Sequence, residues 1–94
     1  MDIVSIRNKA LKRLWTRGEL RHVPPEQVNR LRLALATLAA TADMQMLLTV
    51  PGWRLHELKG DRKGTWSMSI TGNWRLTFRV EGDCVHDVDL EDYH

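Results

Sequence analysis

Asn73-Trp74-Arg75-Leu76-Thr77-Phe78-Arg79-Val80 alternates without a break, and its reading decides the fold. Trp74, Leu76, Phe78 and Val80 fall on one side; Asn73, Arg75, Thr77 and Arg79 fall on the other. A period of two over that length is a strand with one face in a core and the other open. The open face carries two arginines, so a ligand lying on it meets positive charge.

The flanking segments repeat the pattern. Glu81-Gly82-Asp83 is a short hairpin connection into a strand over Cys84–Leu90, and Thr71-Gly72-Asn73 connects back to one over Thr65–Ile70. In the latter, Trp66, Met68 and Ile70 oppose Thr65, Ser67 and Ser69. Trp53–Leu58 reads as a further strand, and Ile3–Ile6 as a short opening one. Between those two the period is helical. Leu11, Leu14 and Trp15 share a face among basic residues, and Gly18 sits where a helix ends. Val23-Pro24-Pro25-Glu26 restarts the chain, and Val28, Leu31, Leu35, Leu38 and Ala39 form one apolar stripe to about Thr41. Asp43–Leu48 reads as a short helical turn whose methionines fill gaps. The expected fold is α+β, a small antiparallel-rich sheet with two N-terminal helices on one face. Residues 1–94 are expected to form one domain, without repeats or linkers.

The 94 residues are 43% hydrophobic and 28% charged, the balance of an ordinary globular chain. No apolar run has the length of a membrane span, and Met1-Asp2-Ile3-Val4 leads into basic sequence instead of an apolar leader. The single Cys84 has no partner for an internal disulfide. These features place the expected location in the cytoplasm. The net charge of +2 hides an asymmetry: residues 1–79 hold 14 basic and 6 acidic side chains, and residues 80–94 hold 6 acidic and none basic. A basic body points to a polyanion such as nucleic acid. The acidic end opposes that unless it folds against cations or transfers protons.

Candidate chemistry follows from these elements. Lys59-Gly60-Asp61-Arg62-Lys63-Gly64 is either a solvated turn or a basic lip beside the polar sheet face; it lacks Walker spacing. His56 has the parity of Arg54 and should leave the Trp53/Leu55 face. Arg75 and Arg79 are either solvated or a phosphate clamp. The run Glu91-Asp92-Tyr93-His94 is a solvated acidic segment or a set of proton-transfer groups reaching over the sheet. A metal site from His86, Asp87, Asp89, Asp92 and His94 is disfavoured, because alternation throws His86 to one side and Asp87 and Asp89 to the other. No nucleophile motif surrounds any serine or Cys84.

Arg54-Leu55-His56, Leu58-Lys59-Gly60-Asp61-Arg62-Lys63-Gly64, Gly72-Asn73-Trp74-Arg75-Leu76-Thr77-Phe78 and Asp87-Val88-Asp89-Leu90-Glu91-Asp92-Tyr93-His94 closely resemble HigB toxins of the RelE/ParE superfamily. Ser5-Ile6-Arg7, Lys9, Leu11-Lys12-Arg13-Leu14 and Val23-Pro24-Pro25-Glu26 fit the N-terminal half of that family. Asn8, Ile6 and Glu57 depart from it, standing where a histidine, an aromatic and a proline are common. Glu57 thereby puts a carboxylate beside His56, with an expected effect on local pKa values.

The resemblance implies a ribosome-dependent endoribonuclease that cuts mRNA in the A site without metal or other cofactor. It implies a HigA-like helix-turn-helix antitoxin, through which alone operator DNA is engaged. By motif match, His56, Asp92, Tyr93 and His94 are the expected catalytic residues. Lys59, Arg62, Lys63, Arg75 and Arg79 are expected at RNA phosphates, and Lys9, Lys12 and Arg13 of the basic first helix at ribosomal RNA. The other classes are a non-catalytic superfamily member that inhibits a protein such as gyrase, and a basic nucleic-acid-binding module without chemistry.

Overall fold

Asn8 opens the first helix by accepting the Leu11 backbone N–H on its Oδ1 at 2.9 Å, and Gly18, at φ 69°, closes it. In the computed structural model, which describes residues 1–92, the chain runs β1 (Asp2–Ile3), α1 (Lys9–Arg17), α2 (Pro25–Ala40) and α3 (Met44–Leu48). It continues with β2 (His56–Glu57), a 3₁₀ turn (Gly60–Arg62), β3 (Thr65–Ser69), β4 (Trp74–Glu81) and β5 (Cys84–Asp92). Helix α1 buries Leu11 and Leu14. Trp15, expected on that face, lies one step around the helix and is exposed. Helix α2 buries Leu31, Ala34, Leu35 and Leu38, whereas Ala39 faces solvent. Asp43 caps α3 by accepting the Gln45 N–H at 2.9 Å. Among the described residues, no helix is long and apolar enough to cross a membrane.

The five strands lie in the order β1-β5-β4-β3-β2. Strands β2 to β5 are antiparallel, as their tight connections require, but β1 pairs parallel with β5. The opening strand is shorter than its sequence, ending at Ile3 with one further bridge from Ile6 to Val88. Strand β2 is also shorter than the run Trp53–Leu58, because Gly52 at φ 92° and Arg54 at φ 48° leave the extended region. Trp53 is nonetheless tied to the sheet, its carbonyl accepting from the Ser69 N–H at 2.7 Å.

One face of the sheet closes the core. Met68, Leu76, Phe78, Val85 and Val88 are fully buried against Leu31, Leu35 and Leu38 of α2. Burying a side chain such as Phe78 contributes about 1.5–3 kcal/mol, so this face holds the sheet's orientation. The other face takes its composition from the alternate residues. Strand register sets His56, Ser67, Thr77 and Asp89 in one cross-strand row, and Ser69, Arg75 and Glu91 in the next.

A bulge in β5 changes one expectation. Thr77 pairs with Asp89 but Arg79 pairs with His86, so β5 spends one extra residue, and Asp87 has φ 55°. His86 and Asp89 therefore share the polar face instead of being thrown to opposite sides. Ser5 anchors the bulge: its hydroxyl accepts the Asp87 N–H at 2.8 Å and its carbonyl accepts the Val88 N–H at 3.0 Å.

Candidate active site

The polar face holds a cleft of about 470 Å³ whose walls include Lys59, Arg62, Ser67, Arg75, Thr77, Glu91 and Asp92. Strand alternation supplies Ser67, Arg75, Thr77 and Glu91; the loop after β2 supplies Lys59 and Arg62. That loop is a 3₁₀ turn, with the Lys63 N–H donating to the Gly60 carbonyl at 3.1 Å, so it is more ordered than a simple turn. Gly64, at φ 95°, returns it to β3 and donates its N–H to Glu57 Oε2 at 2.9 Å. Glu57 thus staples the loop. In the sheet register it stands opposite Trp66, while His56 stands opposite Ser67, so the expected partnership of the Glu57 carboxylate with His56 does not form.

The centre of the cleft is electrostatic. Arg62 clasps Glu91 with both terminal nitrogens, at 2.8 and 2.6 Å, in a bidentate pair. Thr77 donates its hydroxyl to the same carboxylate. The hydrogen bond from Arg62, reinforced by Thr77 and by the Arg62 charge, holds the Glu91 carboxyl below the ordinary carboxylate range against the opposing effect of burial. The same pair raises the Arg62 guanidinium above its usual value. Arg75 lies across from Glu91 in the sheet and donates to Ser69 Oγ at 2.9 Å. Asp92 closes β5 opposite Trp74 and lines the cleft's end.

Several expected residues stand apart. His56 is exposed on the same sheet face, outside the cleft wall, with Nδ1 2.9 Å from the Arg54 carbonyl. Donation from Nδ1 to that carbonyl leaves Nε2 as the ring's acceptor. Lys63 is exposed on the loop beyond the cleft. Arg79 pairs with Glu81 at 3.5 Å and lines a neighbouring depression with Arg7, Asp87 and Asp89. Lys9, Lys12 and Arg13 share a separate basic surface of α1 with Arg17. Tyr93 and His94 lie outside the described residues. In the acidic segment 80–94, Asp87, Glu91 and Glu81 are folded against cations, through Arg7–Asp87 at 3.7 Å, Arg62–Glu91 and Arg79–Glu81. Glu91 was not legible as a cleft residue from its neighbours alone. The available signal was its parity with Asp89 in a strand next to Arg75.

A sheet with one open face, backed by helices, is a fold shared with solved RelE-like toxins. The fold matches a YoeB dimer from Staphylococcus aureus with TM-score 0.63 at 17% identity, covering 99% of this chain and 97% of that one. It matches the YoeB/ParE toxin from Agrobacterium tumefaciens with TM-score 0.60 at 18% identity, covering 100% and 99%. A mutant of YafQ from E. coli gives TM-score 0.60 at 16% identity, covering 98% and 93%. The family model described as RelE-like toxin of type II toxin-antitoxin system HigB matches residues 4–94. The chain is also 35% identical over 92 residues to Endoribonuclease HigB of Proteus vulgaris, covering 98% of this chain and 99% of that protein. The chain belongs to the HigB-like toxin family, whose members act within type II toxin–antitoxin systems and so have an antitoxin partner.

Proposed function

We propose that residues 1–94 form one endoribonuclease toxin domain that cuts translated mRNA in the ribosomal A site. The observation that carries this reading is the cleft itself. Lys59, Arg62 and Arg75 gather at a sheet face that ends in Asp92, and His56 stands on the same face. The relative named as an endoribonuclease supports the same chemistry.

In the proposed reaction a ribose 2′-hydroxyl attacks the adjacent phosphorus. One base takes the hydroxyl proton and one acid delivers a proton to the departing 5′-oxygen, leaving a cyclic phosphate and a 5′-hydroxyl. His56 and His94 divide these two proton transfers, which contribute about 10²–10⁴-fold. Asp92 orients or charge-tunes a histidine, and Tyr93 stacks on a base or donates a proton. Lys59 and Arg75 face the charge that develops on the phosphorane oxygens. Arg62, already spent on Glu91, shapes the cleft and offsets the carboxylate. Lys9, Lys12 and Arg13 hold ribosomal RNA, Lys63 extends that basic surface, and Arg79 contributes least. The partner is a HigA-like helix-turn-helix antitoxin, the route to operator DNA runs through that complex, and the toxin works in the cytoplasm where ribosomes are.

The test is primer extension on ribosome-bound message with the wild type, His56→Ala and His94→Ala. Cleavage by the wild type, with loss in both variants at unchanged circular dichroism, is expected. A folded wild type that arrests growth without cutting message refutes the reading in favour of inhibition of a protein target. RNA binding without either effect favours a plain binding module.

A further inference from the structure

Beside the cleft, and sharing Arg75 with it, lies a second concavity of about 370 Å³ lined by three arginines: Arg30, Arg54 and Arg75. Gly52, Ser69, Ile70, Thr71 and Gly72 also line it, and among the described residues no carboxylate does. Arg30 and Arg54 put two like charges at one depression, and an anion placed between them is attracted to both. The three arginines come from different parts of the chain, α2, the segment before β2, and β4, so the meeting is a product of the fold and not of local sequence.

The geometry of Arg30 argues for a built site. Its guanidinium carbon lies 3.8 Å from the centre of the buried Trp53 ring, a cation–π stack that fixes the plane of the group. Nη2 donates to the Gly52 carbonyl at 2.8 Å and to the Ser69 carbonyl at 3.3 Å. A guanidinium has five N–H donors, so donors remain beyond those two bonds. Arg54 is exposed, and its left-handed backbone at φ 48° turns the chain between the buried Trp53 and Leu55. Among the described residues, neither Arg30 nor Arg54 forms a salt bridge. Fork-shaped guanidinium donors match the oxygens of a phosphodiester.

We propose that Arg30 and Arg54, with Arg75 as the shared wall, form a second phosphate subsite that takes the backbone phosphate next to the scissile one on the same RNA strand. This rests on the cleavage reading above, since it is the cleft that places the scissile phosphate on the far side of Arg75. The subsite holds the strand in register across the sheet and contributes to binding more than to the chemical step.

The test uses programmed ribosomes carrying a message with ordinary linkages, or with one neutral methylphosphonate at either phosphate flanking the cut. For Arg54→Ala, KM is expected to rise roughly 10- to 100-fold with kcat little changed, the size of one charged hydrogen bond. The slope of log affinity on log salt should fall in magnitude by about 0.7, as one single-strand phosphate contact is lost. Arg54→Lys should recover part of the loss. One of the two neutral linkages should weaken the wild type and leave Arg54→Ala almost unaffected, since the variant no longer uses that charge. Equal KM and salt slope in wild type and Arg54→Ala, with the wild type cutting normally, overturns the subsite alone. So does the outcome in which neither neutral linkage separates the two proteins, each weakening both equally. Failure of the wild type to cut at all refutes the cleavage reading and the subsite with it.

Discussion

The pair Arg62–Glu91 allows a prediction of sign as well as size. Among the described residues, the charged side chains lining the cleft are Lys59, Arg62 and Arg75 against Glu91 and Asp92, a formal balance of +1. Arg62→Ala takes this to zero and leaves the Glu91 carboxylate without its bidentate partner. Glu91→Gln takes it to +2 and releases the Arg62 fork, while the amide still offers Thr77 an acceptor. For an RNA phosphate about 7 Å away, at an effective dielectric constant of about 40, one unit of charge is worth about 1.2 kcal/mol, a factor of roughly eight. Arg62→Ala should therefore raise KM for ribosome-bound message about eightfold, and Glu91→Gln should lower it by a similar factor. The double variant restores the balance and should fall near the wild type. The effects should shrink as salt rises, because both side chains are partly exposed. KM is read from single-message cleavage on programmed ribosomes, and thermal melting of each variant checks the fold. If both single variants weaken binding and both lower the melting temperature, the pair is a brace for the loop, and the electrostatic reasoning is refuted.

Three further outcomes are expected. Arg75→Ala should cut cleavage about 10²-fold or more by removing one charge-stabilising donor, Arg75→Lys should recover part, and Arg79→Ala, outside the cleft, should matter much less; equal rates for Arg75→Ala and wild type sink the phosphate role. Charge reversal at Lys12 and Arg13 should weaken ribosome association and flatten its salt dependence, and an unchanged salt series removes α1 from the RNA-binding surface. The lowered Glu91 carboxyl contributes stability that is present above the ordinary glutamate value near 4.3 and lost as pH falls through its folded value, so melting temperature should drop on acidification below about pH 4. Glu91→Gln should lack that component, and identical acid profiles for the two proteins would tell against the pair.

The sheet and its two faces were legible in the sequence because a strand's side chains alternate whatever lies beside it. Trp74, Leu76 and Phe78 could have only one common face, and Arg75 had to leave it. The helices were legible for a similar reason, with the caps at Asn8 and Gly18 set by local backbone needs. The motifs around His56, Lys59 and Asp92 carried the family with them, and they pointed to the open face as the proposed site.

What the sequence alone did not contain was pairing at a distance. The parallel partner of β1, the bulge that brings His86 and Asp89 to one face, and the turn of Glu57 towards Gly64 all depend on which segment lies alongside which. Arg62 and Glu91 are 29 positions apart, and each reads locally as a solvated charge. Arg30, on the second helix, reads as an ordinary exposed cation until the packing of that helix lays it over Trp53, beside Arg54 and Arg75. Local sequence sets backbone period and side-chain direction, which are short-range steric properties. Charge pairing and phosphate-sized cationic sites are made by side chains meeting through space, so only the tertiary fold decides them.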